Sequence, residues 1–88
     1  MPKEEKYALF LIGRPEDTFP EMTKRAYRMT SKVTGAKLWV PKCIVILDPP
    51  DDMGRQRLYV PLWYFKKNKV VPESILEGDY RGIVGIEI

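Results

Sequence analysis

The stretch from Lys37 to Lys66 carries the clearest alternating pattern of side chains in the chain. It contains two arms of about ten residues that are rich in Val, Ile, Leu, Trp and Tyr, which is typical of β-strands. Turn-forming residues, DPPDDMG, lie between the arms at positions 48–54. The pattern therefore predicts a long β-hairpin.

Each arm of this hairpin divides into two sets, because successive side chains of a strand point to opposite faces. One set is almost wholly apolar and comprises Leu38, Val40, Ile44, Ile46, Leu58, Val60, Leu62 and Tyr64. The other set mixes cations with aromatic rings and comprises Lys37, Trp39, Cys43, Val45, Arg55, Arg57, Tyr59, Trp63 and Phe65. We expect the apolar set to line the core, which leaves the second face for a partner.

The N-terminal part of the chain predicts a flexible tail, a strand and a helix. Residues 1–5 are charged and are expected to form the tail, and Lys6–Ile12 is apolar on both faces, as in a central strand. Thr18 and Glu21 have capping-box spacing, which predicts a helix over residues 18–34. Its apolar stripe follows offsets of three and four residues: Phe19, Met22, Ala26, Met29 and Val33.

The C-terminal part predicts one helical turn over residues 72–78 and a last strand over Gly82–Ile88. Together these elements predict a single α+β domain over residues 1–88. A β-α-β unit with parallel strands comes first, followed by the long hairpin and the C-terminal strand. The expected architecture is a four-stranded mixed β-sheet with the amphipathic helix packed on one face.

The composition indicates a cellular location and a source for the protein but few groups for catalysis. The 88 residues carry a formal charge of +3, which tolerates an anionic partner without requiring one. A single cysteine, Cys43, no long apolar run and no signal-like N-terminus favour a cytoplasmic, membrane-free protein, with the thiol buried in a strand. The chain has no His, one Asn, one Gln and eight Pro, a composition that favours a thermophilic source, archaeal or viral.

Candidate catalytic chemistry is sparse. The absence of His excludes His-based acid–base catalysis, a Ser-His-Asp triad and a His-ligated zinc site. Asp48, Asp51 and Asp52 could in principle hold Mg²⁺, but Asp and Pro are the ordinary residues of turns. We therefore expect no enzyme activity, no catalytic residues, no metal site and no cofactor.

The mixed face of the hairpin suggests nucleic-acid binding, with single strands of DNA or RNA preferred. Cations neutralise phosphates and rings stack on unpaired bases. The predicted binding residues are Lys37, Trp39, Arg55, Arg57, Tyr59, Trp63, Lys66, Lys67 and Lys69. The alternative is a homodimeric adaptor or inhibitor that uses the same face on a folded protein partner, as small viral proteins often do. We also expect a homodimer, because this mixed face carries large apolar side chains that are too extensive to remain in water: Trp39, Val45, Tyr59, Trp63 and Phe65.

Overall fold

The computed structural model describes residues 4–87. Its strands are β1 (Glu4–Ile12), β2 (Ala26–Thr30), β3 (Lys37–Pro41), β4 (Ile46–Leu47), β5 (Gln56–Pro61) and β6 (Asp79–Glu87). Its helices are short, α1 (Pro15–Thr18) and α2 (Leu62–Lys67), and single 3-10 turns span Lys42–Ile44 and Pro72–Ser74. The α+β class predicted from the sequence is confirmed.

Strand β1 lies at the centre of a four-stranded sheet in the order β4-β5-β1-β6. Leu9 is opposite Tyr59 of β5 on one side and opposite Gly82 of β6 on the other. The β1–β6 register shifts after Leu9, and Gly82 has φ +107°, a conformation that glycine adopts at little cost. The predicted strands Lys6–Ile12 and Gly82–Ile88 are thus observed within the described residues, and Ile88 lies outside them.

The remaining pair, β2 and β3, forms a two-stranded sheet that shares one core with the larger sheet. The buried residues of this core are Ala8, Phe10, Ile12, Phe19, Tyr27, Met29, Leu38, Val40, Leu58, Val60, Phe65 and Ile75. Phe10 lies near its middle, with its ring 6.0 Å from that of Phe65 and 5.5 Å from that of Tyr80. The face of the four-stranded sheet that points away from this core is called the outer face below.

The predicted helix over residues 18–34 is wrong. Residues 26–30 form β2 instead, and the Thr23 hydroxyl accepts hydrogen bonds from the backbone N–H groups of Arg25 and Ala26, a local alternative to helix. Phe19 stacks on Tyr27 with ring centroids 4.6 Å apart. With no long helix there is no β-α-β unit, and every strand pair of residues 4–87 is antiparallel rather than mixed.

The predicted hairpin over residues 37–66 is only partly realised. β4 and β5 do pair across the predicted turn, but β3 leaves this sheet and pairs with β2. Pro41 ends β3 before the 3-10 turn, and Pro61 ends β5 where α2 begins. If the two predicted arms had paired along their length, Trp39 would face the second arm near Trp63, but Trp39 lies opposite Arg28 of β2 instead.

Two smaller expectations are also corrected. Cys43, expected to be buried in a strand, is exposed in a 3-10 turn. Glu4 and Glu5 of the expected tail belong to β1, whereas residues 1–3 lie outside the described part of the chain. Among residues 4–87, no helix is long and apolar enough to cross a membrane.

The exposure of Met29 and Val33 distinguishes the observed structure from the predicted helix, because the apolar stripe of that helix would have buried both side chains. Met29 is 0% exposed and Val33 is 81% exposed. We expect Met29→Ala to lower the free energy of unfolding by about 2–5 kcal/mol, because it leaves a cavity. Val33→Ala should change it by less than about 0.5 kcal/mol. Urea denaturation of both variants tests this, and a comparable loss in each would favour the helix.

Candidate nucleic-acid interface

A groove of about 510 Å³ lies on the outer face, where β1 and β5 meet the turn that joins β4 to β5. Leu9 and Leu11 of β1 form its floor. Pro49 and five charged residues surround this floor: Asp48, Asp51, Arg55, Arg57 and Arg81. We call this site the arginine groove. An apolar floor bordered by three guanidinium groups suits a ligand that has both apolar surface and negative charge.

The turn beside the groove is held by Asp51. Its Oδ1 accepts backbone hydrogen bonds from Met53 and Arg55, each 2.9 Å long. The bond from the Arg55 N–H is the main cause that lowers the pKa of Asp51 below its ordinary value of 3.8. Gly54 closes the turn at φ +76°, donating its N–H to the Asp51 carbonyl at 3.0 Å. The carboxylate of Asp51 is therefore engaged in holding the turn together.

Asp48 is occupied in a similar way. Its Oδ2 accepts a hydrogen bond of 3.2 Å from the Tyr59 hydroxyl, and its carbonyl accepts one of 3.0 Å from Gln56 Nε2. Burial, followed by this bond to Asp48, raises the pKa of Tyr59 above its ordinary value, so the phenol stays protonated at neutral pH. Asp48 and Asp51, two of the three aspartates considered as Mg²⁺ ligands, therefore stabilise the turn and β5.

The arginines of the groove are poorly compensated. Within residues 4–87, neither Arg55 nor Arg57 forms an ion pair with a carboxylate, although Asp51 lies close enough to feel both charges. Arg81 does pair with Asp79, at 3.0 Å on the surface. An exposed pair of this kind is weak and exchanges readily for another anion. The groove thus presents cationic groups that are available to a ligand.

An aromatic chain leads from the groove along the outer face. The Tyr59 ring meets the Tyr7 ring edge-on at 6.5 Å. Tyr7 donates its hydroxyl hydrogen bond to Glu5, and Glu5 accepts a second one, 3.1 Å long, from the indole N–H of Trp63. Trp63 is 46% exposed. Arg57, Tyr59 and Trp63, which the sequence predicts to share a surface, are therefore linked through side chains of β1.

The three predicted lysines lie beyond the other end of β5. Lys66 and Lys67 are exposed in the last turn of α2, and Lys69 follows at φ +56°. β5 therefore has the Arg55–Arg57 cations at its start and these lysines beyond its end. A strand of this length spans about 20 Å, so these lysines lie at a distance from the arginine groove, and Lys69 lines a second pocket together with Lys32, between β2 and β3.

Lys37 and Trp39 do not join this surface. They lie on β3, whose inward residues Leu38 and Val40 are buried in the shared core. Trp39 is 41% exposed on the other face of the small sheet. The predicted single platform therefore separates, because β3 pairs with β2 instead of β5.

Phe65 also leaves the predicted ring-bearing face. It is fully buried in the core and its ring lies 6.0 Å from that of Phe10. The reason is the start of α2 at Leu62, which replaces the alternation of a strand with helical geometry. The ring cluster expected to drive dimer formation is consequently smaller than the sequence predicts.

Leu9, Leu11 and Arg81 of the groove are absent from the predicted site. The first two alternate with the core residues of β1, and the sequence interpretation treated both faces of that strand as buried. The available signal was the position of Arg81 immediately before the predicted strand Gly82–Ile88. Only the observed register brings it to Leu9.

The acid response of Asp51 can be measured directly. Its pKa is lowered in the folded protein, so the bonds of the turn are complete above the ordinary value of 3.8 and are lost as the pH falls through the lower, folded pKa. We expect the amide chemical shifts of Met53 and Arg55 to titrate together below pH 3.8. Asp51→Asn keeps an acceptor but cannot ionise and should abolish this titration. A titration that persists in that variant contradicts the assignment.

No model of a known protein family matches this chain, and comparisons with characterised proteins and with solved structures find no significant match. Neither a family nor a relative therefore supplies a function. The geometry of the outer face is the basis for a functional assignment.

Proposed function

We propose that this protein is a small, non-enzymatic nucleic-acid-binding protein that holds single-stranded DNA or RNA on its outer face. The observation that carries the proposal is the arginine groove, where Arg55 and Arg57 lie over an apolar floor without carboxylate partners among residues 4–87. The cytoplasmic location inferred from the composition stays a prediction.

Electrostatics support an anionic ligand. Guanidinium groups bind phosphate oxygens in a bidentate manner, and the carboxylates beside them are engaged in the turn. Phosphate binding would therefore not require Asp48 or Asp51 to give up its hydrogen bonds. The formal charge of +3 favours association with a polyanion in general.

The apolar and aromatic surface supports a preference for single strands. Leu9 and Leu11 are half-buried, Tyr59 is half-buried beside them, and Trp63 remains 46% exposed. In single strands the base faces are free to contact such groups, and stacking of a base on a ring is worth about 1–3 kcal/mol. In a duplex the bases are already stacked on one another, so this surface would gain less from a duplex.

A folded protein partner, as an adaptor or inhibitor would bind, is the rival ligand for the same surface. Salt separates the two, since binding to phosphates releases counterions whereas an interface dominated by apolar contacts responds weakly to ionic strength. Fluorescence anisotropy with labelled single-stranded DNA, duplex DNA and RNA over a salt series is the direct test. No detectable binding at low salt would contradict the proposal and favour the adaptor.

Arg57→Ala tests the cationic part of the site. We expect it to weaken single-strand binding about tenfold at low salt, because a charge-assisted hydrogen bond to phosphate is lost. It should also reduce the slope of log K against log salt by about 0.7, the contribution of one phosphate contact on a single strand. Lys32→Ala, which removes an exposed cation outside the groove, is the matched control and should leave both values unchanged.

Trp63→Ala tests stacking, with Trp39→Ala as a control of similar exposure on the small sheet. Anisotropy should show a loss of about 1–3 kcal/mol on single strands for Trp63→Ala and a smaller loss on duplex. Trp39→Ala should have little effect on either. Equal losses in the two variants would mean that the binding surface is not confined to the outer face.

A further inference from the structure

Strand β6 forms a long, open edge of the four-stranded sheet. It spans nine residues, Asp79–Glu87, and pairs only with β1. In the described part of the chain, no backbone hydrogen bond is made on its other side. Such an edge presents unpaired N–H and C=O groups that can continue the sheet with another strand.

Two of the other sheet edges, those of β4 and β2, are short or covered. β4 contains two residues and is followed by Asp48, Pro49 and Pro50. β2 is bordered on its free side by backbone bonds, from the Arg28 N–H to the Glu21 carbonyl at 3.1 Å and from the Leu76 N–H to the Thr30 carbonyl at 2.8 Å. The middle of β6, Gly82–Ile86, contains no charged residue and no proline, which are two of the features that usually protect an edge. Its Ile83 is 44% exposed.

We infer that two copies of this chain associate by antiparallel pairing of their β6 strands. A continuous sheet requires that residues directly opposite each other point to the same face, so their numbers must add to an even sum. In every allowed register, the two-fold axis of the dimer therefore passes next to one residue of β6. That residue lies opposite the same residue of the other copy. Three such centres lie near the middle of the strand, namely Ile83, Val84 and Gly85.

Val84 is the centre that the residues favour. It places Gly82 opposite Ile86 and Ile83 opposite Gly85, so each large side chain meets a position without one. The five residues paired in this way, Gly82–Ile86, all lie on the regular side of the register shift in β6.

The neighbouring centres are less favourable. Centring the axis on Ile83 would extend the pairing past Gly82 into the register shift of β6, with Arg81 of one copy opposite Gly85 of the other. Centring it on Gly85 would leave two glycines facing each other at the axis and Ile83 opposite Glu87. The positions of the glycines among the large residues thus favour the register centred on Val84.

This arrangement would produce an eight-stranded sheet with both outer faces on the same side, because the two-fold axis is perpendicular to the sheet. The two arginine grooves would lie about 25 Å apart. They are separated by three strand spacings across the sheet and by about six residues along the strands. One long ligand strand could then contact both grooves. The dimer itself does not depend on nucleic-acid binding.

Disulfide trapping tests the register. Cys43→Ser removes the exposed native thiol, and Val84→Cys then places one thiol per copy at the proposed axis. Mild oxidation at micromolar concentration should give mostly covalent dimer. Ile86→Cys in the same background is the matched control, since it lies on the same face but about 14 Å from its copy in this register. Failure of Val84→Cys to cross-link, or equal cross-linking at both positions, overturns the proposal.

Sedimentation equilibrium tests the association independently of cysteine. The parent should show a mass that rises toward that of two chains as the concentration increases through the micromolar range. Val84→Lys should remain monomeric because two lysines would meet at the axis, whereas Val33→Lys, with the same change in charge at an exposed loop position, should behave as the parent. A parent that is monomeric throughout overturns the dimer, and anisotropy measured on that monomer still judges the nucleic-acid proposal separately.

Discussion

Pairing of β1 on both sides is the constraint on which the rest of the structure depends. β1 bonds to β5 and β6, which come much later in the chain, so most of the sequence must be in place before the sheet is complete. Its inward residue Phe10 contacts rings from α2 and β6, Phe65 and Tyr80. One strand thus joins the two ends of the chain and fixes the position of the core.

The same strand prepares the outer face. Since the inward residues of β1 fill the core, Leu9 and Leu11 must point away from it, and nothing in residues 4–87 covers them completely. The turn before β5 then places Arg55 and Arg57 beside this floor, while Asp51 and Asp48 are held by bonds to the backbone and to Tyr59. The electrostatics of the groove therefore follow from the structure of the turn.

The central position of β1 also explains why β6 is exposed. A four-stranded open sheet has two edges, and this chain protects one of them with a two-residue strand and two prolines. At the other edge, the two glycines of β6, Gly82 and Gly85, are separated by Ile83 and Val84, which weakens an isolated strand but allows a close partner. The groove and the edge are therefore two consequences of one topology, with different expected ligands.

The sequence by itself determined the α+β class, the strands β1 and β6, the turn at residues 48–54 and the inward parity of Leu38, Val40, Leu58 and Val60. These features depend on alternation and turn residues, which act over a few positions. Only the tertiary structure decided that residues 26–30 are a strand, that β3 pairs with β2, and that Arg81 reaches Leu9. Apolar residues spaced three and four positions apart can belong to a helix, or to a strand and loops in different environments. Which of the two forms depends on segments distant in the chain. Pairing energies between such distant segments do not appear in any local pattern.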